Sequence, residues 1–373
     1  MFVMETRTQL NPIRERRGVS AAQLAKLAGV SRQTIYAIEA GDYVPNTTLS
    51  LQLAQILEVR VEDLFCLEPA NPAPTRPVSV DLLNPEAAHK GQPVQICRVG
   101  THSIGVVSTA QPLMLPVADG VIVETSRQRA GVQLFPDGID ESKRLLIAGC
   151  DPGISLLAQH LARFDDVDLV VAPSSSQQAL EWLKEGKIHV AGSHLRDAST
   201  GEFNLPVVER LFPRGSVKVV TFAIWEQGLV VEAGNPKNIR DAADLARKDV
   251  RIINREKGAG SRELLDRKLQ EAGVPASKVN GYSKIATGHL PAALAVSQHE
   301  ADACIASRSA ARAFGLSFLP LGVERYDLIV RRQHLRLTGV QALLDVLNRA
   351  AIRRKLELLA GYDTSHTGEV LVA

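Results

Sequence analysis

Cysteine is scarce in this 373-residue chain, and its four cysteines, Cys66, Cys97, Cys150 and Cys304, lie far apart with no CxxC pair. That spacing signals neither a zinc motif nor a dithiol redox motif, and since each sits in or beside an apolar run, buried reduced thiols are expected. His160, His289 and His299 show no ligand-like spacing with carboxylates, so no metal site is expected. Apolar runs fall short of the roughly 18–20 residues that span a bilayer. The opening MFVMETRTQL lacks the apolar core of a signal peptide, which leads to an expected cytoplasmic location with no membrane partner. No convincing Ser-His-Asp spacing or metal triad is present, so catalysis is not expected, and no cofactor is implied. An excess of one charge is also missing: the net charge is +2, which says nothing about nucleic acid.

What is present is ordinary soluble-protein material, 45% hydrophobic and 23% charged, in a length that suggests two or three domains. The local charge is uneven. Residues 1–37 carry Arg7, Arg14, Arg16, Arg17, Lys26 and Arg32 against Glu5 and Glu15, whereas residues 38–68 carry Arg60 against Glu39, Asp42, Glu58, Glu62, Asp63 and Glu68. A small head that is basic at one end suits a face that meets phosphate.

Four segments are expected. Residues 1–68 read as short helices. Residues 69–77, with Pro69, Pro72, Pro74 and Pro77, read as a semi-rigid linker. Residues 78–142 read as short strands (VQICRV, SIGVVST, GVIVE). From 143 to 373 strands alternate with helices: RLLIAG, then ISLLAQHLARF; VDLVVA, then QALEWLKEG; IHVAG; the long strand-like VKVVTFAIWEQGLVVE; RDAADLARK as a helix, VRIIN as a strand, SRELLDRKLQEAG and HLPAALAVSQHE as helices, ADACIA, SAARAFG and YDLIV. Such alternation argues for parallel α/β layers.

In the head, Ser20 is placed to cap a helix in which Leu24, Leu27 and Ala28 fall on one face; Gly29 supplies the turn; Ser31 caps the next helix, in which Ile35 and Ile38 face inward. Arg32, Gln33 and Tyr36 then point outward near that helix's N-terminal end, where a recognition helix presents side chains to the major groove, and Ser31 and Thr34 join them as expected DNA-binding residues. Arg pairs with guanine and Gln with adenine, so Arg32 and Gln33 are the expected base readers. Arg14 and Arg17 are read either as phosphate contacts or as a solvated face.

The stretch IRERRGVS (13–20), Leu24, Ala25, AGVS (28–31), Ile35, Ile38, Glu39, Gly41, Pro45, Leu53, Ala54 and the terminal VEDLF together resemble the Cro/CI (XRE) helix-turn-helix family over residues 7–67. The resemblance implies an all-α domain that binds double-stranded operator DNA, usually as a dimer. Ala21 stands where that family commonly has Gln, and Pro12 suggests a first helix beginning there with Asn11 as cap.

Four junctions in the body place unpaired backbone N–H groups where a strand gives way to a helix: GCDPG (149–153), PSSS (173–176), GSHLRD (192–197) and NREKGAGSR (254–262). The last looks like an anion cradle with Ser261 as cap, but no GK[ST] follows, so nucleotide hydrolysis is unsupported. Each has a plainer reading: a serine of 174–176 capping a helix, Asp151 capping the next one, His194 on a surface loop, 258–261 as a bare turn.

GCDPG, KIHVAGSHLRDASTGEFN, EQGLVVEAGNPKNI, INREKGAGSRELLD, GYSK, ADACIASRSAARAFGLSF, ERYDLIV and GYDTSHTGEV resemble, over residues 143–368, the periplasmic-binding-protein-like domain attached to helix-turn-helix heads, related to molybdate- and tungstate-binding proteins. The resemblance implies two α/β lobes of the type II binding-protein kind, joined by crossover strands around a cleft. By position, Asp151, Ser174, Ser175, Ser176, His194, Arg255, Gly258, Ala259, Gly260, Ser261 and Tyr282 would line it. The expected molecule is therefore multidomain, an all-α head and an α/β two-lobed body with a β-rich segment between them. It would be a ligand-responsive transcription regulator acting as a homodimer or higher homo-oligomer. An oxyanion such as molybdate or tungstate, a small organic metabolite, and a body serving only assembly or partner recruitment remain as readings of the effector.

Overall fold

The computed structural model describes residues 4–69, 76–108, 115–136, 140–197, 199–358 and 361–371. The expected linker prolines Pro72 and Pro74 lie outside them. The chain divides into two compact units, 1–76 and 77–373.

The first unit packs short helices Leu10–Arg16, Ala21–Ala28, Arg32–Ala40, Thr47–Leu57 and Val61–Leu64 around Leu10, Leu24, Ile35, Ile38, Leu53, Leu57 and Leu64. Ser20 accepts the N–H of Gln23 while Gln23 reaches back to Ser20, a reciprocal cap. Gly29 takes the left-handed conformation (φ 68°) that closes the turn between the two helices. Two expectations are corrected. The first helix begins at Leu10 with Gln9 at its N-cap, so Pro12 lies inside the first turn, where a missing N–H costs nothing. The helices are also joined by a two-stranded ribbon, Met4–Thr8 against Phe65–Pro69, so VEDLF ends in a strand rather than a helix.

In the second unit, Val78–Leu82, Pro93–Val99, His102–Val107, Gly120–Ser126 and Arg129–Leu134 close into a barrel filled by Val80, Leu82, Val94, Ile96, Ile122, Ala130 and Val132. Its outer residues Leu83, Cys97, Val99, Ile104 and Val106 share a core with Leu146, Val170, Leu180 and Val219 of the body. Arg144 fastens the seam, donating to the Ile96 carbonyl, Asp119 and Asp168.

The body's main sheet runs, in order, Ala303–Ser307, Val217–Val231, Ser317–Arg331, Val190–Ser193, Arg144–Gly149, Asp168–Pro173. The sheet is mixed rather than parallel. Only the last three strands pair in parallel; the two long strands and Ala303–Ser307 run antiparallel to their neighbours. VKVVTFAIWEQGLVVE is one crossover, and YDLIV proves to be the end of a second, the 15-residue strand Ser317–Arg331. One half of this pair belongs to a lobe cored by Leu145, Ile147, Leu157, Phe222, Leu328 and Val340. The other half serves a lobe cored by Leu229, Val231, Leu245, Val250, Leu264 and Ile305. Register shifts at Thr221/Ala223 and Gln227/Gly228 lie between the two halves. RDAADLARK shrinks to the 3-10 turn Ala243–Ala246, and of VRIIN only Asn254 enters a strand, the two-residue Asn254–Arg255. No helix among the described residues is long and apolar enough to cross a membrane.

Candidate functional site

In the head, Ser31 accepts the Thr34 N–H at 3.0 Å and begins Arg32–Ala40 as its spacing suggested. Arg32 and Gln33 are exposed, and Tyr36 is exposed beside them. Arg32 donates twice to Tyr36 Oη (3.0 and 2.6 Å) and lies over its ring at 5.2 Å, so the Tyr36 side chain holds the guanidinium outward. Arg17 is exposed and donates to the Glu58 carbonyl.

Arg14 is corrected. Its side chain is 10% exposed and bonds Glu39 at 2.5 Å, the Val19 carbonyl and Asn11. The Glu39 hydrogen bond raises the guanidinium above its ordinary pKa. It braces the helix-turn-helix from inside instead of facing phosphate, because its position in the first helix points at the inner edge of Arg32–Ala40.

The four junctions of the body come together where the lobes meet. Asp151 is buried, and its Oδ1 accepts from Gly153 N and Tyr362 Oη, both at 2.6 Å, while Oδ2 has no partner. Burial pushes this carboxyl up to about 6, against those two hydrogen bonds. It pins its own turn and does not cap Ile154–Phe164, whose N-cap is Gly153.

The three serines divide the work. Ser175 caps Ser176–Lys184 through Gln178 N, Ser176 Oγ accepts the His194 N–H at 3.1 Å, and Ser174 Oγ is buried with no partner.

From the other lobe, Arg255 is buried, with Glu256 bonding Nε and Nη2 and with Nη1 unpartnered. The 258–261 turn reaches across: the Gln177 N–H donates to the Gly258 carbonyl, and a Cβ on Gly260 would stand 2.6 Å from the His194 ring. Ser261 was expected to cap the helix; Ala259 holds that position, and Ser261 Oγ is left buried and unpartnered within the first turn of Gly260–Glu271.

Tyr282 is corrected too. Its hydroxyl bonds Asp266 at 2.5 Å and its ring lies under Arg262, turned to the outer side of that helix.

His194 is no surface histidine. It is buried, with Nδ1 at 2.5 Å from Glu324 Oε2 and Nε2 at 3.3 Å from Cys150 Sγ. Burial opposes its charged form, but Cys150 and Glu324 outweigh burial and raise it to about 10. Gln227 donates to Glu324 at 3.0 Å and leaves its own Oε1 unpartnered. His289 Nε2 lies 3.7 Å from Cys150 Sγ.

Cys150, His194 and His289 therefore form a cluster whose ligand-type atoms all lie within 4.8 Å of one another. No metal site is expected from the sequence; the tertiary structure nonetheless groups these three ligand-type side chains. Chain spacing carried no sign of it, because His194 and His289 lie 44 and 139 positions from Cys150 along the chain. Gln227 and Glu324 were missed because each reads as an ordinary strand residue.

Residues 158–348 match the PBP superfamily domain and residues 13–64 match the helix-turn-helix domain. YvgK of Bacillus subtilis (strain 168) is 37% identical over 237 residues, which cover 64% of this chain and 75% of that protein. YgzD of the same organism, described as an HTH-type transcriptional regulator, is 40% identical over 65 residues, 17% of this chain and 98% of YgzD. Among solved structures, the sulfate-binding protein SubI of Mycobacterium tuberculosis H37Rv aligns with a TM-score of 0.44 at 19% identity, covering 59% of this chain and 86% of SubI.

Proposed function

This chain belongs to the PBP superfamily and carries a helix-turn-helix head, and from that premise we propose that it is a cytoplasmic, non-enzymatic transcription regulator that a small ligand switches. One observation carries the ligand reading. Buried polar atoms without partners gather on the junctions of both lobes: Asp151 Oδ2 and Ser174 Oγ on one, Arg255 Nη1 and Ser261 Oγ on the other. A desolvated, unsatisfied polar group costs about 1–3 kcal/mol, so several on facing junctions indicate that a guest completes them.

The donors Ser174, Ser261 and Arg255, with two helix starts behind them, favour an oxyanion. Asp151 and Gln227 add unfilled acceptors, so the favoured guest also bears a hydrogen: a protonated oxyanion, or a small organic acid with a hydroxyl. Hydrogen phosphate and hydroxy acids carry such a hydrogen; molybdate and tungstate, which carry none at neutral pH, require the raised Asp151 carboxyl itself to be protonated, and sulfate is the comparator. By bridging the lobes the ligand stabilises the closed arrangement in proportion to its preference for it. In a dimer, that change re-spaces two heads on a two-fold operator.

Calorimetric titration of the full chain with molybdate, tungstate, phosphate, sulfate and hydroxy acids tests the reading. One binding event per chain, lost on Arg255→Met, is expected. Absence of heat across the whole panel, with no rise in melting temperature, sinks it in favour of a body that only assembles or recruits.

A further inference from the structure

We propose that Cys150, His194 and His289 form a three-ligand site for a borderline or soft transition-metal ion of the zinc class, its fourth position left to water or to the ligand of the cleft. The inference goes beyond the effector reading and stands without it, since a metal is measured independently of any oxyanion.

The first argument is distance. In a tetrahedral zinc site the metal–sulfur bond is about 2.3 Å and the metal–nitrogen bond about 2.0–2.1 Å, which places sulfur and nitrogen ligands about 3.5 Å apart. Cys150 Sγ lies 3.3 Å from His194 Nε2 and 3.7 Å from His289 Nε2. These two separations bracket the tetrahedral edge, and the third pair, His194 and His289, lies within 4.8 Å.

The second argument is support from behind. A ligating histidine ordinarily donates its other ring N–H to a carboxylate, which fixes the ring and strengthens it as a donor. His194 meets Glu324 through Nδ1 at 2.5 Å, leaving Nε2 to face the sulfur, and Glu324 is itself held by Gln227 Nε2. The Tyr326 hydroxyl accepts the Cys150 N–H at 3.2 Å and orients that residue's backbone.

The third argument is donor type. One sulfur and two imidazoles select zinc, cobalt, nickel or copper and discriminate against magnesium and calcium, which take oxygen.

His289 is the weakest of the three ligands. Its Nδ1 accepts the Ser307 N–H at 3.2 Å, so in a neutral ring the proton sits on Nε2, and an arriving ion must displace it or break that bond. His194 must release an Nε2 proton too, yet it keeps its Nδ1–H on Glu324, whereas His289 also gives up the Ser307 bond; Cys150 and His194 therefore dominate affinity, and His289 tunes it.

The test uses the full chain stripped by a chelator, then titrated with Zn(II) and, as a spectroscopic probe, Co(II). The expected result is one equivalent per chain, with a sulfur-to-cobalt charge-transfer band in the near ultraviolet. Cys150→Ser and His194→Gln abolish both, and His289→Gln weakens binding without abolishing it. Glu324→Gln weakens it by about 10–100-fold, in keeping with the loss of a supporting carboxylate. Cys66→Ser, in the head, leaves stoichiometry and band unchanged. The band in the unmodified chain reports thiolate ligation even where a variant fails to fold, and melting curves identify such variants. Failure of Zn(II), Co(II) and Cu(I) all to bind overturns the proposal, as does binding that survives in folded Cys150→Ser.

Discussion

The hydroxyl of Tyr326 occupies the space that a side chain at Gly192 would need: a Cβ there would stand 2.1 Å from Tyr326 Oη, and one on Gly149 would stand 2.2 Å from the same atom. Two adjacent parallel strands thus converge on one buried tyrosine from the crossover, and each of these glycines opens a junction loop, GCDPG or GSHLRD. Gly192→Ala is expected to destabilise the body by about 1–3 kcal/mol, the range for overpacking a filled interior. Gly192→Ala combined with Tyr326→Phe is expected to recover part of that loss. Thermal melting of the two variants checks this, and equal melting temperatures for Gly192→Ala and the parent would refute the packing account.

Arg14 and Arg32 should behave oppositely. Arg14→Ala leaves the mostly buried Glu39 carboxylate without its guanidinium, and the head is expected to lose about 2 kcal/mol of stability. Arg32→Ala removes an exposed side chain, so melting is expected to stay unchanged while operator affinity falls by about 1–3 kcal/mol for a lost base contact. Melting and gel-shift measurements on both variants separate the two roles.

In the cleft, the unpartnered hydroxyls predict a reversal of sign. Ser174→Ala and Ser261→Ala remove buried groups that have no partner. Stability without ligand is therefore expected to hold or rise slightly. With ligand, the concentration-dependent rise in melting temperature is expected to shrink. A loss of ligand-free stability in both variants would mean that these hydroxyls are already satisfied.

His189 predicts an acid limit. Its Nδ1 accepts the Leu146 N–H at 3.0 Å inside the body, and burial, with His334 adding to it, lowers the imidazole to about 4. The unfolded residue titrates near its ordinary value of 6.5, so between about 6.5 and 4 only the unfolded chain takes up this proton. The contribution is complete above 6.5 and is lost as pH falls toward 4, amounting to about 3 kcal/mol. Denaturant unfolding across that range is expected to show the slope, and His189→Asn, which keeps an acceptor, is expected to flatten it.

Local rules carried far. Ser20, Gly29 and Ser31 act at short range on backbone groups, so caps and turns in the head were legible residue by residue. ISLLAQHLARF appears as the helix Ile154–Phe164 because its apolar spacing matches one buried stripe. Legibility failed where a residue's meaning depends on what lies opposite it. Arg14 looks like any basic surface residue until Glu39 is placed against it. Tyr282 sits in a motif that suggests the cleft, yet it turns to Asp266. RDAADLARK has helical composition, but Asn235 and Asp244 hold the neighbouring backbone in turns and keep it to a single 3-10 turn.

The amino-acid sequence alone determined the capped helices of the head, the strand–helix alternation of the body and its four junction loops, because caps, glycine turns and apolar periodicity act within a few residues; the two lobes and their cleft were legible only through the resemblance to a known family. Only the tertiary structure decided which polar atoms at those loops stay unsatisfied, that a barrel is sealed to the body through Arg144, and that Cys150 faces two histidines. Burial and distance between remote segments have no counterpart in chain spacing, and they exist only once the crossover strands bring those segments together.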